Sequence, residues 1–458
     1  MARLLAAHAL LADGWAENVA IDIAPDGNIA EVAVGVTDPD AERLPGHLVP
    51  GMIDLHSHAF QRAMAGLAQD RPAGRADFWS WRQRMYGIAR RFTPEDLWAV
   101  AAALYIDLLK GGYTTVVEFH YLHGPPEGGT YDDPAVMSFA LHEAAQEAGI
   151  ALTLAPVWYA RPGIDAGEPT PAQRRFILSL DAYGDILDRV GCLFRDDRDR
   201  RIAAAAHSLR GVPPERLAAF TAAVDARDPQ APLHIHVAEQ PREVEECLAA
   251  YGARPVELLA DRVALGPRWC LVHATHVTAD ERRRIASSGA VAGLCPSTEA
   301  DLGDGFFPFA EYWREEGGFG IGSDANLLTD AAGELRLLEY GQRLRRVRRL
   351  VATRPDEPHC GAALYRAALA GGARAAGRPV GRIAPGFRAD LVHLDDRHPL
   401  LAGRRGDAVL DTFVFAGGSG TFVRDVMVGG LWRVRDGVHA DEERARRGLA
   451  ASVTRLLE

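Results

Sequence analysis

Residues 50–67 read PGMIDLHSHAFQRAMAGL, and the first half of this stretch decides the fold. Pro50–Leu55 is a short, nearly continuous apolar run that stops in His56-Ser57-His58. Such runs read as strands buried on both faces, the kind found in parallel sheets covered by helices. Side chains alternate along a strand, so His56 and His58 point to one face. Two imidazoles side by side either hydrogen-bond as an ordinary pair or share a metal ion. The rest of the chain chooses between these readings.

Seven further runs resemble the first: GYTTVVEFH, IALTLAPVW, RIAAAAHSL, PLHIHVAE, CLVHATH, AVAGLCPST and GFGIGSDA. Between them lie helical stretches with apolar periodicity, such as TPEDLWAVAAALYIDLLKGG and DPAVMSFALHEAAQEAG. Eight strand–helix units predict an α/β fold, a (β/α)8 TIM-like barrel over residues 49–378. Residues 1–48 and 379–458 read differently, as short strands and turns (VAIDIAPDGNIAEV, PGFRADLVHLD, VMVGGLWRVRDG). They predict a small β-sandwich domain built from both chain ends. The last stretch, DEERARRGLAASVTRLLE, reads as a solvent-facing C-terminal helix.

Composition limits the function. The chain has 458 residues, 48% hydrophobic and 25% charged, enough for a large barrel with a smaller domain. Its net charge of −11 argues against a nucleic-acid partner, which needs a basic face. No stretch is long and apolar enough to span a membrane, and MARLLAAHALLADGW lacks the core and cleavage site of a signal peptide. The five cysteines are scattered and odd in number, which points to reduced thiols and a cytoplasmic location.

Active sites of such barrels lie at the C-terminal ends of the strands. His56 and His58 end strand one, and His120 ends strand two. His207 and Arg210 follow strand four, His236 and Glu239 strand five, His273 strand six and Asp324 strand eight. One histidine at a strand end is ordinary packing. Several, with a carboxylate, at matching ends of one barrel form a site. His56, His58, His236 and Asp324 supply three imidazoles and one carboxylate, a donor set suited to one Zn2+, with Fe2+ or Mn2+ as alternatives. Both His234 and His236 point inward, but His236 lies nearer the catalytic rim, so His234 is expected to be a hydrogen-bonded core residue.

This pattern resembles the amidohydrolase superfamily over nearly the whole chain, in its mononuclear deaminase branch. Strand four carries no lysine of the kind that bridges two metals in binuclear members. The segments LHSHAFQRAMAGL, FWSWRQRMY, EFHYLH, HSLRGVP, HIHVAEQ and CPSTEADLGDG are similar to those of the formimidoylglutamate deiminases. CPSTEADLGDG stands where ring deaminases carry a CPxSN-like segment.

What the resemblance implies is a hydrolase acting on the C–N bond of a linear amidine. N-formimidoyl-L-glutamate and water would give N-formyl-L-glutamate and ammonia, a step of histidine degradation. Glu239 is then the proton shuttle, His273 orients and polarises the water or substrate, and Asp324 both ligates the metal and holds the water's proton. A dicarboxylate substrate needs cations and donors, for which Gln61, Arg82, Tyr121, His207 and Arg210 are the candidates. For Arg210 the fork geometry matches a carboxylate, and nothing else in the sequence explains a cation there. An ordinary surface arginine is the competing reading for Arg82. Glu299 and Asp304 fall at the rim after strand seven. The expected assembly is a homodimer. A deaminase of a ring amine (a purine or pterin) is the alternative enzyme, and a scaffold without catalysis the alternative class.

Overall fold

The computed structural model describes residues 2–69, 77–164, 167–418 and 420–458. Eight parallel strands close into a barrel: Met52–Ser57, Tyr113–His120, Ala151–Trp158, Ala204–Ser208, Leu233–Val237, Trp269–His273, Val291–Leu294 and Gly318–Ile321. They correspond one to one with the eight apolar runs. Strand one pairs with strands two and eight, and the ladder runs in order around the ring. Strand four has a preceding piece, Arg200–Ile202, on strand three, and the two pieces are separated at Ala203. Every residue of strands one, two, three, five, six and seven is buried, which is why these strands read as unbroken apolar runs.

Both chain ends join one eight-stranded sheet beside the barrel, with Glu42–Pro50 and Leu391–Leu394 as antiparallel neighbours near its middle. Its own apolar core includes Leu4, Val19, Ile21, Leu48, Leu391 and Met427. Glu42–Pro50 passes directly into strand one through Gly51, where an added Cβ would collide with the Thr114 side chain. Only glycine allows that approach.

Helices are punctuated as their sequences demand. Thr93 caps Pro94–Lys110 and exchanges a reciprocal capping box with Asp96, and proline occupies the first turn. The C-terminal helix, Glu442–Leu457, does not stand free in solvent. It lies on Pro94–Lys110 with Ala445, Ser452 and Leu456 buried, held by Lys110 Nζ to Glu442 (2.6 Å) and by Arg455 to Asp96. Small residues spaced along an otherwise charged helix supply that contact face.

The segment after strand one turns through a short 3-10 helix, Ala59–Met64. A separate helix, Phe78–Ala89, is capped by Asp77 through Ser80. It brings the aromatic sequence FWSWRQRMY to the mouth of the barrel.

Candidate active site

His56, His58 and His236 meet at the C-terminal mouth of the barrel. His56 Nε2 lies 3.2 Å from His58 Nε2 and 3.0 Å from His236 Nε2. His58 Nδ1–H donates to Phe119 O (2.8 Å), and His236 Nδ1–H donates to His207 O (3.0 Å). These bonds fix the tautomers, so at least two Nε2 lone pairs point into a common space. Lone pairs facing one another at this range repel unless a cation lies between them. Four ligands about 2.0–2.1 Å from a tetrahedral zinc stand about 3.3 Å apart, close to the spacing seen. Asp324 Oδ1 lies beside these imidazoles, 3.6 Å from His56 Nε2 and 3.3 Å from His58 Nε2.

Protonation agrees with that fit. Burial pulls His58 down to about 4, and it holds His56 and His236 well below the ordinary imidazole range. Neutral imidazoles are what a metal requires. Burial pushes the Asp324 carboxyl up to about 7, against the opposing pull of His273. A divalent cation bound among these groups would supply the missing counter-charge.

Glu239 and His273 border the same space. His273 Nε2 lies 3.7 Å from Asp324 Oδ2 and 4.0 Å from Glu239 Oε1, and its Nδ1 lies 3.4 Å from Glu299 Oε1. Burial lowers the His273 pKa, but the Glu299 hydrogen bond and the fields of Glu239 and Asp324 prevail and raise it to about 10. Burial raises Glu239, but Arg210, His273 and Arg82 prevail and hold it below the usual carboxylate range. Arg210 Nη2 donates to Glu239 Oε2 across 2.6 Å, and Arg210 Nε lies 3.7 Å from Glu243 Oε2. Glu243 in turn accepts from the backbone of Ala238 (3.1 Å) and Glu239 (3.2 Å). The sequence reading saw no protein partner for Arg210; the structure supplies two carboxylates.

His58, Gln61, Arg82, Tyr121, His207, Arg210, His236, Glu239, His273 and Asp324 all line one pocket, with His56 at its base. Gln61 Nε2 donates to Tyr121 Oη (3.0 Å), and Arg82 bonds Tyr86 Oη (2.5 Å) and Tyr159 Oη (3.1 Å). Arg82 therefore faces the pocket, where it is the second cation. The apolar and aromatic wall was not foreseen: Phe78, Trp81, Met85, Tyr86, Tyr159 and Phe176 form it. The run of aromatics in FWSWRQRMY was its available signal. Trp79 stacks under Arg242, 4.3 Å from the ring centre. His234 Nε2–H donates to Ala375 O (2.9 Å), away from the histidine cluster. Asp304 bonds Gln240 and His276, not the pocket residues.

A model described as the amidohydrolase family matches residues 47–433, and one described as the N-terminal domain of formimidoylglutamate deiminase HutF matches residues 1–45. The chain is 47% identical over 458 residues to the formimidoylglutamate deiminase of Pseudomonas aeruginosa, covering 100% of both. The crystal structure of an amidohydrolase from Brucella melitensis superposes with a TM-score of 0.95 at 43% identity, covering 100% of each chain. An adenosine deaminase from Xanthomonas campestris, solved with bound zinc, gives 0.82 at 22% identity over 99% of this chain and 98% of that one, a likeness of fold. The barrel, the pocket and these matches agree: the chain belongs to the amidohydrolase family and, within it, to the formimidoylglutamate deiminases.

Proposed function

We propose that this chain hydrolyses N-formimidoyl-L-glutamate to N-formyl-L-glutamate and ammonia, in the histidine degradation of a cytoplasm. The observation that carries the reading is one pocket with two chemistries. A cluster of three imidazoles sits at its base with the Asp324 carboxylate beside two of them, and two arginines, Arg82 and Arg210, stand in its wall. A linear dicarboxylate with an amidine at one end fits that polarity. Residues 49–378 form the catalytic barrel in this reading, and 1–48 with 379–458 the small domain. The chain works as a homodimer, without nucleic acid or membrane. No helix among the described residues is long and apolar enough to cross a bilayer.

His56, His58, His236 and Asp324 hold one divalent cation, with Zn2+ favoured by three imidazoles and one carboxylate. When bound, such an ion supplies Lewis acidity and makes water nucleophilic near neutral pH. The chain's own groups do the rest. Glu239, kept ionised by Arg210, takes a proton from the attacking water and passes it to the departing nitrogen. His273 lies between Glu239, Asp324 and Glu299 and orients the reacting centre. As the tetrahedral carbon collapses, its hydroxyl gives up the second proton, which passes by way of Asp324 to the same nitrogen; the C–N bond to that nitrogen breaks, and ammonia leaves the formamide behind. Arg210 and Arg82 receive the substrate carboxylates, with Gln61, Tyr121 and His207 as neighbouring donors.

Ammonia release from formimidoylglutamate, formimidoylaspartate, guanine and adenosine tests the reading. Formimidoylglutamate is expected to be the best substrate and the purines inert. Preferential turnover of guanine or adenosine would establish the ring-amine alternative instead.

A further inference from the structure

Beneath the histidine cluster lies a run of buried polar groups that the reaction above does not use. Glu118, on strand two, is 1% exposed. Its carboxylate accepts from Ala59 N–H (2.6 Å), Ser57 Oγ (3.0 Å) and Tyr105 Oη (3.2 Å), three neutral donors. Asn326 is fully buried on the strand-eight side. Its Nδ2 is within reach of Ser57 Oγ (3.2 Å), His58 O (3.0 Å) and Asp324 O (2.9 Å), and its Oδ1 accepts from Ser323 Oγ (2.6 Å). The two N–H groups of Asn326 are shared among these three acceptors, the two carbonyls being the nearer, and Ser57 donates to Glu118. Hydrogen bonds aligned in one direction polarise one another.

Two of the Asn326 acceptors are backbone carbonyls of metal-ligand residues. The same backbone is already sewn across strands one and eight. Asp324 N–H donates to His56 O (2.9 Å), and His58 N–H donates to Asp324 O (3.0 Å). Asp324 and Asn326 both adopt left-handed backbone, with φ of 50° and 58°. Such conformations cost energy in a residue with a side chain and persist only where the surroundings over-determine them. The amide of Asn326 reaches the peptide carbonyl on each side of the gap between His58 and Asp324.

We propose that Asn326, braced through Ser57 by Glu118, is the positioning residue that sets the spacing between the strand-one histidines and the Asp324 carboxylate, and thereby how firmly the site keeps its metal. The proposal rests on the metal-site reading given above. Groups that orient metal ligands at one remove typically change metal affinity about 10–100-fold when lost.

The test uses zinc-loaded full-length protein and a chelator in excess, following the rate of zinc release. Co2+-substituted protein reports ligand geometry by its visible spectrum, and the melting temperature of metal-free protein reports folding. Asn326→Asp keeps the shape and the acceptor but removes both N–H groups. Zinc release is expected to quicken about 10–100-fold with an altered Co2+ spectrum, and Glu118→Ala to act in the same direction. Glu118→Gln keeps an acceptor for Ala59 but turns its NH2 toward Ser57, so it is expected to quicken release as well, by less than Glu118→Ala. Ser57→Ala removes one oxygen from the link and serves if Asn326→Asp does not fold. Wild-type release rates and an unchanged Co2+ spectrum in these variants would overturn the proposal, as would a lowered metal-free melting temperature with no change in release. A wild-type protein that takes up no zinc overturns the metal reading as well.

Discussion

Arg210 and Glu239 form a buried ion pair, Nη2 to Oε2 at 2.6 Å, so the wall cation and the carboxylate that ends strand five are a single unit. Neither side chain exposes more than 8% of its surface, which places the pair in a weakly screened environment. Glu239→Gln keeps an oxygen for Arg210 but cannot carry a proton. A positioned acid–base group typically contributes ~10²–10⁴-fold, so kcat should fall by about that factor with metal content unchanged. Steady-state kinetics beside metal analysis checks this. A near-normal kcat would leave Glu239 as a mere partner of Arg210.

Removing the cation tests the other half of the pair. Arg210→Met leaves Glu239 and Glu243 buried without their counter-charge. Arg210 now helps hold the Glu239 pKa below its ordinary value, while burial pushes it up. Without Arg210 burial prevails, Glu239 stays protonated to higher pH, and the acid limb of kcat/KM moves upward. The lost charge-assisted bond to substrate is worth ~1.5–3 kcal/mol, or roughly tenfold to two-hundredfold in kcat/KM. A pH profile taken with formimidoylglutamate, and with a formimidoyl compound lacking both carboxylates, separates the effects. The limb should move for both substrates and the loss in KM should fall on the dicarboxylate. An unmoved limb would mean that Arg210 does not set the charge of Glu239.

The barrel was legible because each of its strands is buried on both sides and so appears as an apolar run. The strand-end residues were legible by the same token, since polar groups closing such runs are rare and fall on one rim. The pairing of Arg210 with Glu239 was not, because it joins residues 29 apart whose contact depends on how strands four and five lie in space. Glu118 and Asn326 were invisible for a related reason. Their partners are backbone groups, two serines and the Tyr105 hydroxyl, drawn from several elements, and a lone buried carboxyl has no sequence pattern. The helix Phe78–Ala89 showed its aromatic character but not the surface it covers.

His236 bridges strand five to the histidines of strand one, and only its Nε2 faces them. His236→Ala should lose the metal and the activity together, since it deletes one of four donors from a buried site. Metal content after gel filtration, measured with turnover of formimidoylglutamate, decides it. Full occupancy with normal turnover would remove His236 from the ligand set.

Arg175 is a fully buried guanidinium whose partners are all backbone carbonyls: Gly124 O (3.1 Å), Phe92 O (3.1 Å) and Ala89 O. Burial pulls its pKa down to about 10, still far above neutral, so it remains a cation. Ala89 ends the helix Phe78–Ala89, where the helix dipole presents partial negative charge and a cation is favourable. That helix carries Trp81, Arg82, Met85 and Tyr86 into the pocket wall. Arg175 thus clamps the far end of the element that bears the second cation. Arg175→Met takes the guanidinium from all three carbonyls, and Ala89 O keeps only the 3.4 Å bond from Phe92 N–H; each group left unsatisfied costs about 1–3 kcal/mol. The melting temperature should fall, and KM for formimidoylglutamate should rise severalfold while metal content holds, because the metal ligands lie on other elements. Arg175→Lys should recover only part, since one ammonium lacks the planar fork that meets several carbonyls at once. If the melting temperature falls and KM does not move, Arg175 stabilises the fold without placing Arg82.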